Sequence, residues 1–337
     1  MIPPPVYRQF REAYRRGDTE TVLGTGQHVL DALAGETAEL QSMSPAVLLM
    51  IGAHLARAER LIDAIAYLER GLAQLPGSLA TREVGTADPY SLLLVQLDLL
   101  VGRYPAAWPV IQRLIEPGQK LETRLGATRA QVGVHAAFGE FETAYQLLNT
   151  AVGLADRLRN RPQSAMVVGD RAIVLALQGR VIEATSFADA VLEDLARPAP
   201  GPHGAWAAAQ ALTVATTVAR RAAEAGDLMT AQRLLYGADQ VSGQTGRSLD
   251  RGQLALARGV VAWRGGDLIG AEAPLGEARR LFQTLGCAPA AALTQWEEAN
   301  LAVARGLHSS APLQVERARE AFAELGLPLP HLPPQLN

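Results

Sequence analysis

The segment SGQTGRS, from Ser242 to Ser248, has the spacing nearest to a phosphate-binding loop anywhere in the chain. Such a loop needs a glycine, four residues and then Gly-Lys-Ser/Thr, so that backbone amides and one ammonium group surround a phosphate. Here Val241 stands where the first glycine belongs and Arg247 where the lysine belongs, so the segment is read as a turn. A second corner, RGGD at Arg264–Asp267, offers free amides at a helix start. Its own Asp267 already places a carboxylate there and would repel an anion.

Metal chemistry fails on spacing. His28, His54, His135, His203, His308 and His331 are scattered, and none has a second ligand one helical turn away in a recognised motif. His54 and His135 fall in apolar stretches and are expected in the core or lining a groove. Nucleophilic catalysis lacks a Gly-x-Ser-x-Gly elbow. The single cysteine, Cys287, sits in LGCAPA without a local base and reads as a structural thiol. No base, nucleophile or metal set converges, so the chain is expected to be no enzyme and to need no cofactor. What remains is charge inside apolar runs: Asp98 in LLLVQLDLLVG, and Asp170 with Arg171 in AMVVGDRAIVLAL. An ionised group there needs a partner, either a neighbouring helix or a ligand.

The elements that would position these groups repeat. LVGRYPAAWPVI, AFGEFETAYQLL, LQGRVIEATSFA, EAGDLMTAQRLL and RGGDLIGAEAPL each carry a glycine and, five residues on, an alanine. The glycines are Gly102, Gly139, Gly179, Gly226 and Gly266; the alanines are Ala107, Ala144, Ala184, Ala231 and Ala271. An earlier copy keeps Ala64 but has Glu59 for the glycine. Before each glycine lies a helical stretch apolar on most sides, such as QLALARGVVAWR; after it comes an amphipathic one, in which Leu268, Ala271, Leu275, Ala278 and Phe282 share a face. The glycine is expected to close the first helix in a left-handed conformation, the following polar residue to cap the second, and the alanine to let the two backbones approach. Pro274 is expected to remove a helical bond to Gly270, and Pro109 to act similarly, each bending its helix. A hairpin of this kind cannot bury its own apolar face and must stack on neighbours.

The pattern resembles the tetratricopeptide repeat family. Leu48, Ile51, Gly52, Leu55, Ala64, Leu68, Gly71 and Pro76 match its consensus places, as do Gly259, Ala271, Leu275 and Ala278; Leu114 and Val191 depart from it. The units recur at about forty residues, longer than usual for that family, and ARRLFQTLGCAPAAALTQWEEANLAVARG is similar in style to the sensor regions of large LuxR-type activators. The resemblance implies an all-α right-handed superhelix, an α-solenoid of stacked antiparallel hairpins. The expected organisation is a degenerate hairpin over 1–43, units at 44–80, 87–118, 124–157 and 164–197, and a Pro/Gly loop or hinge at 198–204. Units at 205–244, 250–286 and 290–326 follow, then a proline-rich tail at 327–337. That tail is either a frayed end or a strap that shelters Leu325, Leu327, Leu329 and Leu332.

In the family the first helices line the groove. That mapping places Leu49, Leu92, Gln96, Arg129, Met166, Asp170, Ile173, Thr216, Arg220, Leu256 and Trp263 there, with Ala53, Gly133 and Val260 among them. The lysine and asparagine of the family's carboxylate-gripping members are absent from these places. The groove is therefore read as largely apolar with a few arginines, suited to an amphipathic or extended partner segment. Arg129 and Arg220 are expected to orient an acidic end.

A formal net charge of −3 gives no broad cationic field for nucleic acid. No apolar run is long enough to cross a bilayer, and the start, MIPPPVYRQF, does not read as a signal peptide. The expected protein is a cytoplasmic interaction scaffold or adaptor holding a protein or peptide segment, with self-association through a terminal apolar stripe as a further partner mode. The rival reading is an effector-binding sensor of a bacterial regulatory system, whose output module would be another chain.

Overall fold

The computed structural model describes residues 5–36, 38–75, 87–195, 202–307 and 310–330. The expected break from Pro76, most of the 198–204 loop, His308, His331 and Leu332 lie outside them. All regular structure in the described residues is helical.

The chain divides into two compact units, 1–119 and 120–337. The first holds helices Pro5–Arg16, Thr19–Ala34, the short Ala38–Gln41, Ser44–Arg57, Leu61–Gln74, Asp88–Val101 and Tyr104–Leu114. The second holds Leu121–Ala137, Phe141–Leu158, Arg161–Leu177, Val181–Leu195, Pro202–Glu224, Leu228–Thr245, Ser248–Arg264, Glu272–Leu285, Ala288–Ala304 and Ala311–Glu324. Within each unit the helices pair as antiparallel hairpins and the hairpins stack, an α-solenoid architecture. The segment 198–204 lies inside the second unit, and the Pro202–Glu224 helix begins at its end.

The corners explain the spacing. Gly102, Gly139, Gly179, Gly226 and Gly266 all have positive φ, from 77° to 91°. At each, the next residue's amide donates to the carbonyl five residues back, from Arg103 N to Asp98 O at 2.7 Å through Asp267 N to Ala262 O at 3.0 Å. This closure satisfies carbonyls that the helix end would leave bare. Glu59 adopts the same conformation at φ 57°, and Arg60 N still reaches Leu55 O at 2.9 Å. The recurrent alanines, Ala64, Ala107, Ala144, Ala184, Ala231 and Ala271, are fully buried.

Capping after the corner follows residue chemistry more narrowly than expected. Asp18, Asp227 and Asp267 accept from the amide three residues on, at 3.0, 3.0 and 2.8 Å. Arg103 and Glu140 make no such side-chain bond; Arg103 pairs with Glu69 at 2.5 Å and Glu140 with His135. A carboxylate two bonds from the backbone reaches those amides, whereas a longer side chain finds a neighbour instead.

Pro274 corrects the expected bend. Leu268–Ala271 form a turn, and the helix starts at Glu272, so Pro274 stands in its first turn, where a missing N–H costs no intrahelical bond. The proline delays the second helix; it does not interrupt it. Pro109 does lie inside its helix, Tyr104–Leu114.

Two glycines of first helices leave room that the second helix of the same hairpin fills. A Cβ on Gly259 would lie 2.6 Å from Leu275 Cγ, and one on Gly52 would lie 2.8 Å from Leu68 Cγ. At the C-terminal end of the described chain, Trp296 and Phe322 meet edge-to-face with centroids 6.4 Å apart. Leu325 and Leu327 pack against them, while Leu329 is exposed.

Candidate functional site

Three consecutive hairpins of the second unit place polar residues of their first helices together. Arg220, Arg221 and Glu224 come from the end of Pro202–Glu224, Trp263 and Arg264 from the end of Ser248–Arg264, and Glu297 from Ala288–Ala304. Each of these helices is otherwise sheathed in Ala, Val and Leu, so a polar residue on its packed side is held at a fixed depth.

The cluster is buried: Arg220 is 8% and Glu297 2% exposed; Asn300, three residues beyond Glu297 on the same helix, is 3% exposed. Trp263 Nε1 donates to Glu297 Oε2 at 3.2 Å. The Arg264 guanidinium lies 3.9 Å from the centroid of the Trp263 ring, a cation–π contact. Arg221 Nη1 pairs with Glu224 Oε2 at 2.6 Å, with both side chains about one-fifth exposed (21% and 19%). Burial pushes the Glu297 carboxyl up to about 7; Glu224 adds to the rise, while Arg264, Arg220 and the Trp263 N–H oppose it. Burial likewise weakens the Arg220 guanidinium's hold on its proton, with Glu224 opposing, though a guanidinium stays cationic. Among the described residues, Arg220 Nη1, Arg221 Nε, Arg264 Nε and both amide atoms of Asn300 have no hydrogen-bond partner.

Arg129 and Asp170 form a separate pair. Arg129 Nε lies 2.5 Å from Asp170 Oδ2 and Nη2 lies 3.1 Å from Oδ1, a bidentate ion pair between Leu121–Ala137 and Arg161–Leu177. Gln210 Nε2 donates to Asp170 at 3.3 Å, and Met166 Sδ lies 3.4 Å from Arg129 Nη1. Asp170 thus has the interhelical partner that its apolar setting demands, and its carboxylate occupies the Arg129 guanidinium expected to face an acidic end. Arg171 lies over the Phe187 ring at 5.7 Å.

The other expected groove residues divide by depth. Leu49, Met166 and Leu256 are core residues at 0%, 1% and 4% exposure, covered by their neighbours. Val260 is also buried, and Thr216, at 3%, spends its hydroxyl on Leu212 O at 2.8 Å. Leu92 and Ile173 are half-buried, and Gln96 is exposed. Trp263 and Arg220 fall in the polar cluster. Arg264, Glu297 and Asn300 were not among the expected residues; the signal that singled out Asp98 and Asp170, a polar residue inside an apolar first helix, would have reached Glu297 and Asn300.

The first unit holds its own buried polar contacts. His54 is fully buried, with Nδ1 2.9 Å from Thr19 Oγ1. Burial lowers its pKa to about 4, helped by Arg57 and opposed by Asp18. Asp98 has Arg103 Nε at 3.4 Å; burial raises its carboxyl to about 6, against the pull of Arg103. A cleft of about 550 Å³ in the second unit is lined by Arg279, Gln283, Gln295, Glu298 and Arg317. Its charges largely answer one another, as in Arg279–Glu298 at 3.3 Å and Arg305–Glu272. Among the described residues no cluster of His, Cys, Asp and Glu could hold a metal ion, and no helix is long and apolar enough to cross a membrane.

Hairpins stacked through left-handed corners and buried alanines define a tetratricopeptide-like repeat fold. Among solved structures the chain is similar to a Rap protein complexed with Competence and Sporulation Factor: 12% identity, 95% of this chain and 97% of that one, TM-score 0.64. It is also similar to a tetratricopeptide repeat protein from Parabacteroides merdae: 12% identity, 83% and 95% coverage, TM-score 0.53. No family model matches the sequence, and no curated protein matches it significantly.

Proposed function

We propose that the chain is a non-enzymatic interaction scaffold whose second unit binds a segment of another protein or a peptide on the side formed by its first helices. The observation that carries this reading is the buried Arg220–Arg264–Glu297 cluster, in which Arg220 Nη1 and Arg264 Nε have no hydrogen-bond partner among the described residues. Leaving such a group unmatched costs about 1–3 kcal/mol, so a fold that keeps several of them side by side gains on binding a ligand that matches them. The Rap protein of the same fold, solved with a bound factor, supports the idea that stacked hairpins can hold a partner.

The test is crosslinking of the full chain, purified from its native cell with bound partners, followed by mass spectrometric mapping. Crosslinks concentrated on Pro202–Glu224, Ser248–Arg264 and Ala288–Ala304 are expected; crosslinks confined to the second helices would defeat the proposal.

The rival reading, a sensor for a small acidic effector, draws on the small size and deep burial of the same cluster. A melting shift with one class of metabolite, and no co-purifying protein, would favour it.

A further inference from the structure

We propose that the cleft between Glu272–Leu285 and the hairpin of Ala288–Ala304 with Ala311–Glu324 binds a planar heterocycle that carries amide-type edges and a single negative charge. The inference stands beside the scaffold reading and does not rest on it, because other residues than Arg220, Arg264 and Glu297 line this cleft.

The walls follow from helix spacing. Glu272, Leu275, Arg279 and Gln283 recur every three or four residues, so one face of the second helix looks into the cleft. Gln295, Glu298, Leu301 and Arg305 do the same for the facing wall. Two ion pairs cross between the walls, Arg305–Glu272 and Arg279–Glu298 at 3.3 Å. Leu275, Leu301 and Ala302 give the space an apolar lining. Its volume, about 550 Å³, falls within the range of about 300–1,000 Å³ usual for small-molecule sites. Gly276 keeps the space open. A helix interior disfavours glycine, yet a Cβ at Gly276 would meet nothing within 4 Å, so close packing does not require it.

Three carboxamides set the chemistry of the ring. Gln283, Gln295 and Gln314 line the cleft, and among the described residues their side chains make no hydrogen bond. A carboxamide presents an acceptor and a donor side by side. A trans peptide group points its N–H and C=O to opposite sides, whereas a lactam, an imide or a nucleobase holds donor and acceptor on one edge. The match is to a ring rather than to a peptide. Charge sets the rest. Glu272 and Glu298 are each held by an arginine, which leaves Arg317 without an ion-pair partner among the described residues. Arg317 is exposed, so the ligand's charge lies at the rim and its ring lies deeper. One guanidinium suits one negative charge, which a phosphodiester or a carboxylate supplies.

The experiment is calorimetric titration of the full chain with cyclic AMP and cyclic GMP, which carry a phosphodiester, and with orotate, which carries a carboxylate. Adenosine, guanosine and uracil lack the charge; dimethyl phosphate and acetate lack the ring. Binding of a charged ring compound about tenfold tighter than of its uncharged or ringless counterparts is expected, and whether the nucleotides or orotate bind identifies the source of the charge. Gly276→Leu, which fills the cleft without a clash at its Cβ, should lower that affinity at least about tenfold while the melting temperature holds or rises. Arg317→Gln, at an exposed position, should weaken the charged compounds severalfold and leave the uncharged ones unchanged, and it remains informative if Gly276→Leu fails to fold. No binding of any ring compound up to about 1 mM, or binding that both variants leave intact, overturns the proposal. Either failure leaves the scaffold reading standing, since crosslinks to the first helices decide that separately.

Discussion

Trp263 Nε1 and Glu297 Oε2 lie 3.2 Å apart in a buried contact that joins two neighbouring hairpins. The bond favours the ionised carboxylate, whereas burial opposes it and wins, since the folded value of about 7 exceeds the ordinary 4.5. The stability that Glu297 contributes is therefore full below pH 4.5 and is lost as pH rises through 7, on the order of 3 kcal/mol. Glu297→Gln is expected to flatten that slope. Trp263→Phe, which removes the donor and keeps most of the packing, should cost more at pH 8 than at pH 5.5. Denaturant unfolding at the two pH values measures both.

In the first unit two buried groups pull in opposite directions. His54, lowered from 6.5 to about 4, contributes stability that is present above pH 6.5 and lost as pH falls through 4. Asp98, raised from 3.8 to about 6, contributes stability that is full below pH 3.8 and lost as pH rises through 6. Between those limits the slopes oppose. His54→Gln should make Ser44–Arg57 and Asp88–Val101 better protected on acidification from pH 6 to pH 4, and Asp98→Asn should make them less so. Hydrogen exchange on the full chain reads these helices separately from the second unit.

The Arg129–Asp170 pair is mostly buried, with side chains 13% and 14% exposed. Removing either member alone strands the other, and each of Arg129→Ala and Asp170→Ala is expected to cost about 2–4 kcal/mol. The combined variant Arg129→Met with Asp170→Leu should cost less than either single change. Chemical denaturation of Arg129→Ala, Asp170→Ala and the two combined closes a double-mutant cycle; additive losses would contradict the coupling.

Glycines in first helices should answer differently to the same methyl group. Gly259→Ala meets Leu275 at 2.6 Å and is expected to destabilise by about 1–3 kcal/mol, with partial recovery on adding Leu275→Ala. At Gly133, within Leu121–Ala137, no described atom comes within 4 Å of an added Cβ. Gly133→Ala should stabilise by about 0.5–1 kcal/mol through helix propensity. Melting temperatures of the two variants should move in opposite directions.

The corners were legible because their physics is local. A left-handed residue, a reaching amide and a close alanine lie within ten residues of one another, so one glycine-to-alanine spacing reports all three. The start of the helix at Glu272 was less legible, because Pro274 can either break a helix or open one, and only the turn at Leu268–Ala271 decides. The depth of Leu49, Met166 and Leu256 depends on the helices that flank each first helix, and the repeat pattern does not encode it. The polar cluster was legible only in part. Arg220 and Trp263 stood out singly, but their meeting with Glu297 is set by the stacking of hairpins more than thirty residues apart in sequence.

That stacking gives the cluster a consequence for folding. In a linear array each repeat touches mainly its neighbours, so hairpins can open locally. A site drawn from Arg220, Trp263 and Glu297 exists only while the hairpin carrying Ala288–Ala304 and Ala311–Glu324 is docked. Whatever fills the site is thermodynamically linked to that docking, and each tenfold rise in its concentration above Kd adds about 1.4 kcal/mol against local opening. Occupancy would thus tie the opening of one hairpin to the concentration of whatever its neighbours help to hold.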